Sequence, residues 1–132
     1  MGRRRRILIV EDDSAFRHCV AVFCAGHGFE VSEAGTLDEA SRQLDARDFD
    51  AVLLDMNLPD GDGLSLLPSV GVERSLVISA TPDPERFARD GVRHHLAKPV
   101  DLEDVVLRLD EIWPKEGRPR EERPPDQKLN RN

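Results

Sequence analysis

Short apolar runs punctuate this chain, and the two most apolar of them stop abruptly at a carboxylate. Ile7-Leu8-Ile9-Val10 is followed by Glu11-Asp12-Asp13, and Ala51-Val52-Leu53-Leu54 by Asp55. Runs of four apolar residues bounded by turn signals read as strands buried on both faces. A carboxylate at the exit of such a strand sits at the lip of the fold, where ligands bind in open α/β sheets. A third, shorter run, His95–Ala97, also ends in charge, at Lys98-Pro99.

Amphipathic stretches fill the gaps. Ser14 is placed to cap a helix reaching about Ala25, with Phe16, Cys19, Val20 and Phe23 on one face and Gly26-His27-Gly28 to stop it. Phe29–Ala34 is a weaker second strand. Thr36-Leu37-Asp38-Glu39 has the form of a capping box, and the helix it opens carries Leu37, Ala40 and Leu44. Gly63–Leu67 starts a third helix that Pro68 curtails, because proline removes a helix hydrogen bond. Leu76–Ser79 is the next strand, Pro84–Arg89 a short fourth helix and His95–Ala97 the last strand. Asp101 caps a final helix with Leu102, Val105, Val106, Leu109 and Ile112 on one stripe. The order is (βα)5: an α/β fold with a doubly wound, five-stranded parallel sheet covered on both faces, its third and fourth helices shortened.

Charge divides the chain. Residues 1–6 hold the block Arg3 to Arg6 and read as a basic, solubilising N-terminal extension. Residues 114–132 are rich in Pro, Glu, Arg and Asn and read as a flexible tail or linker. Between them, residues 7–113 carry 22 acidic and nine basic side chains, a net charge of −13. Such a body repels phosphates, which argues against direct nucleic-acid binding. The apolar run after the arginines is too short for a signal peptide, and no stretch has membrane-spanning length. Cys19 and Cys24 lie five apart in one helix and point in different directions. Two unpaired cysteines fit a reducing, cytoplasmic setting.

If the first and third strands are neighbours, Glu11, Asp12 and Asp55 crowd into one site. Close carboxylates raise one another's proton affinity unless a cation sits among them, and a hard oxygen site of this kind suits Mg²⁺. Lys98 adds a positive point charge and Ser79 a hydroxyl. That set suits phosphoryl transfer, with Asp55 as the nucleophile. Taken singly, each feature has a plainer explanation: a solvated turn, a helix cap, a surface Lys-Pro. Their joint occurrence at three strand exits is what carries the reading.

Four blocks carry a family resemblance. Ile7 to Asp13, Leu53-Leu54-Asp55-Met56-Asn57-Leu58-Pro59-Asp60-Gly61-Asp62-Gly63-Leu64, Val77-Ile78-Ser79-Ala80 and Leu96-Ala97-Lys98-Pro99 resemble the signature blocks of bacterial two-component response regulator receiver domains. The resemblance covers about residues 6–113, with the receiver domain placed at 7–113, and implies a flavodoxin-like sheet. It implies that Asp55 is the phospho-acceptor, taking a phosphoryl group from a sensor histidine kinase or phosphotransfer protein. It implies Mg²⁺ bound by Asp12 directly, by Glu11 through water and by the backbone carbonyl of Asn57, with Asp55 also among the metal residues and Asp13 a helix-start charge instead. Ser79 matches the switch hydroxyl, with Thr81 the alternative, and Lys98 the lysine partner. His95 stands where the family often has a rotating Tyr or Phe.

The same likeness describes a phospho-acceptor switch, not a turnover enzyme, acting on an output partner or domain. Haloacid-dehalogenase-type phosphatases resemble Asp-x-Asp at the nucleophile, but Asn57 occupies the second position and cannot serve as general acid. A homodimer belongs with the partner classes, since many family members build their output or dimer surface on the fourth helix, fifth strand and fifth helix. The chain departs from the family in length. Asp55 and Lys98 are 43 positions apart, shorter than usual, and the loss falls on the third and fourth helices. A phosphorylation-independent interaction domain is therefore the competing reading.

Overall fold

The structure, a computed structural model, describes residues 4–114. The segment read as a tail lies outside the described residues except for Pro114, as do positions 1–3.

Five strands form one parallel sheet: β1 (Arg6–Val10), β2 (Glu30–Ala34), β3 (Ala51–Asp55), β6 (Ser75–Ser79) and β7 (His94–Ala97). Their order is β2-β1-β3-β6-β7. Two further strands, β4 (Asn57–Leu58) and β5 (Gly61–Asp62), pair antiparallel in a small hairpin directly after β3. The helices are α1 (Ser14–Gly26), α2 (Leu37–Ala46), α3 (Leu67–Val70), α4 (Pro84–Asp90) and α5 (Leu102–Ile112). The doubly wound sheet read from the sequence is therefore present, and its third and fourth helices are short.

Side-chain alternation splits the core into two layers. Ile7, Ile9, Leu53, Leu76 and Ile78 face α1 and α5, where Val20, Cys24, Val105, Leu109 and Ile112 meet them. Leu8, Val10, Val52, Leu54 and Val77 face the other way, toward Ala40, Leu66, Leu67, Val70 and Phe87. Both faces of the central strands are dry, so their residues have no polar alternation to show. Each fully buried aliphatic side chain contributes about 1.5–3 kcal/mol relative to exposure.

Local chemistry corrects several sequence expectations. Asp13, one residue before Ser14, caps α1 by accepting the Phe16 N–H. On α1 Cys19 is exposed, whereas Ala21 and Cys24 turn inward with Val20. Thr36 caps α2 by accepting the Glu39 N–H, and Glu39 reaches back to the Gly35 N–H, one residue beyond the cap. Pro68 does not end the third helix. Gly63–Leu66 winds as a 3-10 turn, and the α-helical turn starts at Leu67 with Pro68 near its N-terminus, where the missing N–H leaves nothing unpaired. Gly71, at φ 100°, ends it.

The arginine block is also more than a solubilising start. Arg5 donates to Asp110 Oδ1 (2.6 Å) and to the Trp113 carbonyl (2.9 Å), and its guanidinium lies 4.1 Å from the centroid of the Phe29 ring. Arg6 begins β1, pairs with Glu30 at 3.2 Å and exchanges hydrogen bonds with Asp50. These partners lie far away in sequence, so a local charge pattern does not reveal them.

Candidate functional site: an acidic cluster at the carboxyl ends of β1 and β3

β1 and β3 are neighbours in register, Val10 beside Leu54. The chain leaves β1 toward β2 on one side and β3 toward β6 on the other. This is the reversal point of the strand order, where open α/β sheets leave a crevice. Glu11, Asp12 and Asp55 sit there. One carboxylate oxygen from each falls within 4.8 Å of the others. Glu11 and Asp55 are buried, at 1% and 4% exposure, while Asp12 is open to solvent. Three oxygen donors of this kind fit a hard divalent cation that keeps part of its water shell.

Lys98 enters from the end of β7. Its main-chain N–H donates to the Ser79 carbonyl at 2.9 Å, which fixes the start of the side chain. The Lys98–Pro99 peptide bond is cis. Lys98 Nζ donates to Glu11 Oε1 at 2.8 Å and stands 3.6 Å from Asp55 Oδ2. Burial pulls its pKa down, but the Glu11 hydrogen bond and the charges of Asp55 and Glu11 outweigh it, so the net shift is upward. The Phe16 ring lies 5.3 Å from the ammonium.

The remaining sequence-derived residues divide by position. The Asn57 main-chain N–H donates to Asp55 Oδ1 at 3.3 Å, and Asn57 itself is exposed. Ser79 ends β6 and is buried, its Oγ accepting the Thr81 N–H at 3.0 Å; Thr81 is exposed. His95 is not part of the cluster. It is exposed on β7 and rests against Phe87 of α4, with ring centroids 4.9 Å apart. Asp13 faces away to cap α1, although its N–H donates to Glu11 Oε2 at 3.0 Å.

Several residues that shape the site escaped the sequence reading. A Cβ at Gly63 would lie 1.9 Å from the Asp55 carbonyl oxygen, so the returning loop needs glycine to pack onto the Asp55 backbone. Asp60 reaches from that loop to α2 and accepts the N–H groups of Leu37 (2.8 Å) and Asp38 (3.1 Å). Those bonds hold its carboxyl below the ordinary carboxylate range. Asp62 accepts the Leu64 N–H with one oxygen and pairs with Arg86 of α4 through the other. The turn sequence Asp60-Gly61-Asp62-Gly63 signals such a loop. The partners, 22 to 24 positions away, have no local signal.

Comparison with known proteins agrees with this architecture. Residues 7–110 match the response regulator receiver domain family, and the chain belongs to it. The KDP operon transcriptional regulatory protein KdpE of Escherichia coli is 31% identical over 109 residues, covering 78% of this chain and 48% of that protein. A CheY-like receiver domain protein from Methanospirillum hungatei superimposes with a TM-score of 0.73 at 29% identity, covering 86% of this chain and 99% of that one. A Burkholderia pseudomallei response regulator, solved with a phosphorylated aspartic acid, a calcium ion and citrate, gives 0.70 at 26% identity, covering 80% and 66%. This chain spans between 20% and 50% of the length of the curated relatives it matches. Receiver domains are phospho-acceptor switches, not conventional enzymes.

Proposed function

We propose that Asp55 is the phospho-acceptor of this receiver domain. The observation that carries the reading is the grouping of three carboxylates within 4.8 Å, with the Lys98 ammonium 3.6 Å from Asp55. An Asp55 carboxylate oxygen attacks the phosphorus of a phosphohistidine presented by a sensor histidine kinase or phosphotransfer protein. The O–P bond forms as the P–N bond breaks, and the imidazole nitrogen keeps the bonding pair and takes a proton from solvent.

Asp12, Asp55 and the Asn57 carbonyl would hold Mg²⁺, with Glu11 acting through water; when bound, the ion would neutralise charge on the transferring oxygens. Lys98 places a second positive charge beside the acceptor, able to follow the phosphoryl oxygens as they arrive. Ser79 supplies a hydroxyl from the end of β6, with Thr81 the alternative two residues on. His95, in contact with α4, would pass the change outward. The phosphoryl group shifts the balance of two conformations by its different contacts in each. The setting is the cytoplasm, and the target is an output partner or domain. Among the described residues, no helix is long and apolar enough to cross a membrane.

The test is incubation with acetyl phosphate and Mg²⁺, read by intact-mass spectrometry. The wild-type chain gains one phosphoryl group and Asp55→Asn gains none. Equal labelling of both overturns the assignment.

A further inference from the structure

Arg17 has no part in the chemistry above, yet one hydrogen bond ties it to the acidic turn and a second ties it to β2. Its Nη1 donates to the main-chain carbonyl of Glu11 at 2.7 Å. Its Nε donates to Glu33 Oε1 at 2.9 Å, so an acidic side chain at the end of β2 aims the guanidinium. The backbone of Gly35 passes directly beneath. A Cβ there would lie 3.1 Å from Arg17 Nη1, so the glycine leaves room for the arginine.

The target of this clamp matters. Glu11 is the first residue past β1, and its side chain is 1% exposed. Its N–H continues the ladder to β2, donating to the Ala34 carbonyl at 3.0 Å. Its carbonyl takes the Arg17 guanidinium. Both main-chain groups of Glu11 are thus held. Its carboxylate is aimed by Lys98 at Oε1 and by the Asp13 N–H at Oε2. Arginine suits this task better than lysine, because its rigid fork can address a carbonyl and a carboxylate at once.

We propose that Arg17 is a positioning residue that sets the Glu11 carboxylate for divalent-cation binding at the cluster. The inference rests on the reading of Glu11, Asp12 and Asp55 as a Mg²⁺ site. Groups that orient metal-binding side chains typically change affinity by about tenfold or more when removed.

The experiment is calorimetric titration of the full chain with MgCl₂ alone, with far-UV circular dichroism as the check on folding. Arg17→Met weakens Mg²⁺ binding about tenfold, and Arg17→Lys recovers part of the loss. In a Glu11→Gln background, Arg17→Met adds little, because it acts through Glu11. If Arg17→Met does not fold, Glu33→Gln takes its place in the same cycle, with a smaller loss in the same direction. Unchanged Mg²⁺ affinity in the folded variant overturns the proposal. So does a full, additive loss in the Glu11→Gln background, which marks a general structural role. Absence of Mg²⁺ binding by the wild-type chain overturns the cluster reading itself, and the positioning role with it.

Discussion

Lys98 Nζ lies closer to Glu11 Oε1, at 2.8 Å, than to Asp55 Oδ2, at 3.6 Å. The ammonium is thus engaged by a buried carboxylate and merely adjacent to the candidate acceptor. Lys98→Met leaves the Glu11 carboxylate with the Asp13 N–H as its hydrogen-bond donor. Lys98 keeps 28% exposure, so solvent screening holds the effect below that of a fully buried pair. The expected destabilisation is about 1–3 kcal/mol by urea unfolding at pH 7.

The pH dependence follows from the same group. The Lys98 pKa is raised on folding. Its contribution is intact below the ordinary lysine value of about 10.4 and is lost as pH climbs through the raised folded value. Urea midpoints measured from pH 8 to 11.5 should fall at the alkaline end for the wild type. The difference from Lys98→Met should narrow there.

Gly63→Ala pushes a methyl group into the Asp55 carbonyl oxygen. Backbone cannot swing aside as a flexible side chain does, so the loop or the end of β3 must shift. The expected cost is about 1–3 kcal/mol, together with slower labelling by acetyl phosphate. A variant with unchanged labelling rate and midpoint would mean that the loop relaxes without disturbing Asp55.

Asp60→Ala removes the acceptor for two N–H groups at the start of α2. Amide exchange at Leu37 and Asp38 should quicken while the β1 and β3 amides keep their protection. Because the folded Asp60 pKa is lowered, this contribution is present above the ordinary carboxylate range and is lost only as pH falls through the lowered value. Protection of the two amides should therefore persist in mild acid.

The cysteines differ in reactivity. Burial pushes the Cys24 thiol up to about 12, whereas Cys19 is exposed. A thiol-specific reagent at pH 8 should modify one cysteine per native chain and two after denaturation. Mass mapping should place the native adduct on Cys19.

Most of the architecture is legible in the residues because dry parallel strands carry unbroken apolar runs. Ile7–Val10 and Ala51–Leu54 announce themselves in this way. The β4–β5 hairpin does not, since two-residue strands have no period to read. Pro68 misleads because proline both ends helices and begins them, and the 3-10 turn before it decides which. In the site, the carboxylates and Lys98 stand out by their place after strands. The pairing of Lys98 with Glu11 joins residues 87 positions apart, and the grip of Arg17 on the Glu11 carbonyl depends on how α1 is set against the turn, so neither has a local signal. Arg5 and Arg6 look like a solvated charge run until Asp110, Glu30 and Asp50 are brought beside them.

The loop that follows Asp55 is moored at two points, by Asp60 to the first turn of α2 and by Asp62 to Arg86 of α4. α2 and α4 pack on one face of the sheet, α1 and α5 on the other. The surroundings of Asp55 are thus tied to the helices by contacts of different physical kind. Toward α2 the link is a pair of main-chain N–H groups donating to Asp60, and toward α4 it is the part-exposed Asp62–Arg86 ion pair, which salt screens. Toward α1 the link runs through Glu11, whose carbonyl accepts Arg17 and whose carboxylate pairs with the same Lys98 ammonium that stands beside Asp55.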